Sequence, residues 1–124
     1  MNYAWGHIAA ASLFALGILH MVFGVARFRH PLAAIVREGV FDRCGGDDER
    51  RLACWFIAFG APLSLCGHLA LRANEAADLA TLGLIGLYGC VTASAGVIAF
   101  PRSPLWGLLA VSMVLIAVGQ GWLV

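Results

Sequence analysis

Histidine is the side chain in this sequence best suited to metal or proton chemistry, because either ring nitrogen can ligate a metal or carry a proton near neutral pH. Three of the four histidines, His7, His20 and His68, fall within long apolar runs. His7 lies near the start of the first run and His68 near the end of the second, which antiparallel neighbours would bring to similar depth. Each follows a glycine, Gly6 and Gly67, leaving room for a flat ligand. Two facing imidazoles can ligate a b-type haem axially or hold a transition metal. The competing reading is that both are interfacial histidines satisfied by water and headgroups. With only two ligands to name, no metal site and no cofactor is assigned. His20 lies deeper. It is expected to point into the protein interior as a neutral imidazole bonded to a hydroxyl at its depth, with Ser94 and Ser112 as candidates.

Other chemistries are disfavoured by what the runs lack. They contain no Asp, Glu, Arg or Lys, and an intramembrane carboxylate is the usual relay for proton-coupled export. Acid-catalysed sterol isomerisation lacks its acid for the same reason. Cys44, Cys54, Cys66 and Cys90 form no CxxC pair, so quinone-linked disulfide chemistry lacks its nucleophile. They are read as small apolar fillers. The chain has no lysine and a net charge of +1, which supports neither a nucleic-acid surface nor a polybasic tail.

The elements that must position these residues are transmembrane helices. The chain is 61% hydrophobic and 12% charged, far from the composition of soluble domains. Four apolar runs each meet the length needed to cross a bilayer: residues 3–26, 52–71, 79–100 and 104–124, all within one domain, 1–124. The first run lacks a basic start and exceeds a signal-peptide core, so it is expected to remain as a helix. It closes at Arg27, Arg29 and His30, with Pro31 unable to continue it. Asp47, Asp48 and Glu49 suit the positive end of the second helix, and Asp78 caps the third. Ser103 fits an N-cap and Pro104 the first position of the fourth, making a tight hairpin with the third. Pro62 predicts a kink or local unwinding near residues 60–62. Leu32, Ile35, Val36 and Val40 have helical spacing, which predicts a short amphipathic helix on the membrane interface.

Trp5 and Trp122 mark one end of these spans and Trp55 and Trp106 the other, as aromatic belts do. The first and third connections hold Arg27, Arg29, Arg37, Arg43, Arg50, Arg51 and Arg102, against Arg72 opposite. The positive-inside rule then places both termini outside the cytoplasm. Lipid gives helices no hydrophobic pull on one another, so small residues must supply contact. Gly6, Ala10, Gly17 and Gly24 lie near one line of the first helix, and His20 within roughly 60° of it. Gly60, Ser64 and Gly67 mark the second helix, and Gly83, Gly86, Gly89, Ala93 and Gly96 the third. The expected fold is all-α, a compact left-handed four-helix transmembrane bundle with short loops and one interfacial segment.

Four stretches carry a family resemblance: GILHMVFG at 17–24, REGVFD at 37–42, WFIAFG at 55–60 and PRSPLW at 101–106. Together they resemble an uncharacterised family of small bacterial four-helix membrane proteins, a domain of unknown function, over nearly the whole chain. Pro104 stands where the family's turn is expected to carry glycine. The resemblance implies a bacterial inner-membrane location and four spans, and it implies no reaction and no catalytic residue.

Three functions fit these observations. The first is a non-enzymatic interaction or accessory subunit, embedded in the lipid bilayer as a homo-oligomer or part of a larger complex. The second is a haem- or metal-binding redox module using His7 and His68. The third is a carrier or binder of a small apolar solute, which requires a cavity beside Pro62, Tyr88 and His20.

Overall fold

The computed structural model describes residues 3–124. These form five helices and no strand: α1 (Ala4–Arg27), α2 (Arg29–Arg37), α3 (Asp48–Glu75), α4 (Leu79–Ala99) and α5 (Leu105–Gly119). By length and composition α1, α3 and α4 could each cross a membrane, whereas α5 is apolar but has only 15 residues.

Helix ends follow local chemistry. Asp47 accepts from the Arg50 amide at 2.8 Å, and Asp78 accepts from the Thr81 amide at 3.0 Å and the Thr81 hydroxyl at 2.6 Å. Hydrogen bonds to the ionised form hold the Asp78 carboxyl below the usual carboxylate range. The α3–α4 turn is short because Ala77 takes a left-handed conformation (φ 54°) and the Asp78 amide reaches back to the Ala73 carbonyl at 2.8 Å.

Two expected boundaries are corrected. Pro104 itself occupies the N-cap of α5, and the buried Ser103 hydroxyl has no hydrogen-bond partner among the described residues. The Trp106 indole closes that turn instead, donating to the Pro101 carbonyl at 3.0 Å. At its other end α5 stops at Gly119 rather than running to 124. Gly121 (φ 74°) reverses the chain there, and the Trp122 amide bonds the Ala117 carbonyl at 2.8 Å, which is the Schellman arrangement. Pro62 lies within a continuous α3, so local unwinding does not occur.

The amphipathic segment after α1 is a helix in its own right. Phe28 alone separates it from α1, and Pro31 sits in its first turn, where a missing N–H costs nothing. Pro31 and Ile35 are buried, and the Phe28 ring lies 5.4 Å from that of Phe56 on α3. Two ties fold the following loop back onto α3. Arg50 grips Glu38 through both terminal nitrogens, at 2.7 and 2.8 Å. This hydrogen-bonded pairing lowers the Glu38 pKa and raises that of Arg50. Cys44 and Cys54 form a disulfide with Cα atoms 6.2 Å apart. The reading of all four cysteines as unpaired fillers is therefore wrong for these two, which only the returning loop brings together. Cys66 and Cys90 are free.

Packing within the bundle is inverted relative to a water-soluble protein. Its interior is built largely from Ala9, Ala10, Ala53, Ala70, Ala73 and Ala93 with a few leucines and valines, while Leu19, Val22, Leu65, Leu84, Val91 and Ile98 face outward. Small side chains inside permit close helix approach. A Cβ on Gly17 would stand 2.5 Å from the Ser64 amide nitrogen, and one on Gly86 2.8 Å from that of Ile116. The expected glycine line of α1 thus meets α3, and that of α4 meets α5. The two pairs join through α1 with α5 and α3 with α4.

Candidate functional site

The α1–α3 seam carries the polar contacts of the bundle. Its register is fixed by Gly6 opposite Asn74, Gly17 opposite Ser64 and Gly24 opposite Ile57. Along it, three α3 or α1 side chains bond carbonyls of the facing helix or its start. Asn74 Nδ2 donates to Tyr3 O at 3.2 Å, Ser64 Oγ to Phe14 O at 3.3 Å, and His20 Nε2 to Phe56 O at 2.8 Å. Because a carbonyl can only accept, the Nε2 of His20 carries a proton. Its ring also stacks on Phe56 (centroids 4.0 Å apart, planes at 16°) and meets the edge of Phe59 at 5.6 Å.

This overturns the expected His20 partner. Neither Ser94 nor Ser112 bonds the imidazole; Ser112 is buried facing Gly89 on the α4–α5 seam, and Ser94 is half-buried on α4. A backbone carbonyl satisfies the ring because α1 and α3 approach so closely. His7 and His68 are both exposed. The register sets His7 level with Ala73 and His68 level with Leu13, about 9 Å apart along the pair at 1.5 Å per residue. The expected common depth is not found. Among the described residues, no cluster of three or more His, Cys, Asp or Glu side chains is placed to hold a metal.

What the structure does contain is a groove between α3 and α4. α3 spends its glycines on α1 and α4 spends most of its own on α5, so these two helices meet without a smooth face and leave a cleft of about 320 Å³. Pro62 and Cys66 form one wall, Tyr88 and Thr92 the other, and Leu13 and Leu108 the floor. Phe59 lines it too and links it to His20. The surface is apolar except for the hydroxyls of Tyr88 and Thr92, a helical turn apart on an exposed side of α4. Of the three residues expected beside a cavity, Pro62 and Tyr88 line the groove and His20 does not, reaching it only through Phe59. Cys66 and Thr92 were not expected there, although the four-residue spacing of Thr92 from Tyr88 puts both on one helix face.

A family model matches residues 5–121 and is described as a family of unknown function. The chain belongs to DUF6463. No curated protein and no solved structure matches it. Membership in DUF6463 agrees with the expected domain of unknown function over nearly the whole chain, and the chemistry must be argued from the groove and the seam.

Proposed function

We propose that this DUF6463 protein is a four-span integral membrane protein of the bacterial inner membrane that binds a lipid-soluble molecule in the α3–α4 groove and catalyses no reaction itself. The groove is the observation that carries this reading. It opens sideways from the bundle, so a solute dissolved among acyl chains can enter without crossing water. Its volume lies near the lower end of the roughly 300–1,000 Å³ usual for ligand sites. Tyr88 is close to the midpoint of α4, and its hydroxyl has no hydrogen-bond partner among the described residues. An unpaired hydroxyl in hydrocarbon costs a few kcal/mol, which a ligand oxygen would offset. The preferred ligand therefore has an apolar chain and one hydrogen-bonding group.

Span number is supported by the inverted packing and by the tryptophans. α5 rises about 22 Å, less than a hydrocarbon core of ~30 Å, but Trp106 in its first turn and Trp122 beyond its last suit the two interfaces. Arginine placement supports termini outside the cytoplasm. The haem or metal reading of His7 and His68 gains no support from their offset. The accessory-subunit reading is made specific here: the glycine faces are occupied within the bundle, which leaves the groove as the binding surface.

The test is photolabelling of the protein in phosphatidylcholine nanodiscs with a diazirine-bearing dodecanol. Adducts are expected to concentrate on Cys66, Tyr88 and their neighbours and to fall about tenfold in Leu84→Trp, a loss of about 1.4 kcal/mol, because the indole fills the groove mouth. Adducts spread evenly over all lipid-facing residues would refute the site.

A further inference from the structure

α2 presents a cationic stripe away from the bundle. Pro31 and Ile35 are buried against the protein, and at about 100° per residue the opposite side carries Arg29, Ala33 and Arg37 with His30 beside them. All four are exposed. Arg37 Nε donates to the Ala33 carbonyl at 3.4 Å, which lays the guanidinium along the helix surface.

Charge in this region is sorted by sign up to Glu38; beyond it Asp42 and Glu49 are exposed without an ion pair among the described residues. No acid occurs from residue 4 to residue 37, and the first, Glu38, is held by Arg50. Asp47 pairs with Arg50 and Asp48 with Arg51 at the start of α3. Neither Arg29 nor Arg37 has an ion-pair partner among the described residues. Beside the stripe stand three exposed apolar side chains, Val36, Val40 and Phe41, the last 90% exposed. The loop holds Val40 and Asp42 in left-handed conformations (φ 66° and 56°), one on each side of Phe41. A β-branched residue there is disfavoured, so the loop geometry is maintained against a local cost, with the disulfide and the Glu38 pair closing it.

We propose that the outward face of α2 binds an anionic phospholipid, with Arg29 and Arg37 on the headgroup phosphate and Val36, Val40 and Phe41 among the first acyl carbons. This rests on the membrane reading above. Only a single-residue break separates α2 from α1, which sets the stripe at the end of a span, where phosphates lie. Guanidinium groups match phosphate oxygens in geometry as well as charge.

The experiment reconstitutes the full chain in phosphatidylcholine nanodiscs and compares spin-labelled phosphatidylglycerol with spin-labelled phosphatidylcholine by the fraction immobilised on the protein. Phosphatidylglycerol is expected to be enriched about fivefold. The double variant Arg29→Gln, Arg37→Gln brings the ratio near one, Arg51→Gln leaves it unchanged, and added salt weakens it in the wild type. Equal immobilisation of both lipids by the wild type, or an equal loss in Arg51→Gln, overturns the proposal. If the membrane reading itself fails, neither lipid is immobilised at all.

Discussion

Replacing Cys54 with serine releases the loop that Cys44 ties to the second turn of α3, and its cost can be worked from chain entropy. The cysteines are 10 residues apart. Closing a loop of that length in an unfolded chain is worth about 2.7 kcal/mol. α3 begins at Asp48, and in detergent its first two turns can stay helical after the bundle opens. The freely moving part is then the short stretch before Asp48, and the figure falls to roughly 1.9 kcal/mol. Cys54→Ser is therefore expected to lower the unfolding free energy in micelles by about 2 kcal/mol under oxidising conditions and by almost nothing once the wild type is reduced. Equal stability of oxidised and reduced wild type would refute the argument that this bond constrains the loop. The same pair reads orientation. Arginine counting puts this loop in the cytoplasm, where disulfides are rare. Maleimide mass-tagging of intact cells, with and without prior reduction, shows whether Cys44 and Cys54 are thiols in place. Two tagged thiols before reduction support the cytoplasmic placement; a resident disulfide places the arginine-rich end outside and reverses the topology.

Three further outcomes follow from the packing and the loop. Gly67→Ala puts a methyl group 2.5 Å from the Phe14 Cα and is expected to cost about 1–3 kcal/mol in thermal unfolding, whereas Gly45→Ala, with nothing within 4 Å, should be neutral. His20→Phe keeps the stacking on Phe56 but loses the bond to its carbonyl; a loss of about 0.6 kcal/mol, and no more than ~1.7, is expected by the same assay. Glu38 has its pKa lowered, so its pairing with Arg50 is present above the ordinary glutamate range and lost as pH falls through the depressed value. A fluorophore on α2 should gain mobility only in acid below that range, and Glu38→Gln should show the mobile state at every pH.

The features legible in the sequence are those governed by a single helix and its solvent. Glycine lines on α1 and α4 could be read because small residues are the main source of contact between helices in lipid, and each line meets a partner. Asp78 could be read as a cap, and Asp47 as one of the acids that suit a helix start, because both effects are local. Gly121 was equally local: glycine just past a helix signals a stop, but the apolar composition beyond it masked the end of α5. Features that depend on two elements meeting were not legible. No spacing rule pairs Cys44 with Cys54, since the loop between them must first fold back under the Glu38–Arg50 tie. Hydroxyls can be counted in a sequence and so suggest a side-chain partner for His20, whereas the accessibility of the Phe56 carbonyl depends on how near α1 comes to α3. The groove follows from the same cause. Once glycines commit α3 to α1 and α4 to α5, the α3–α4 contact receives what is left, and the cleft beside Pro62 and Tyr88 is the volume those two closer seams cannot fill.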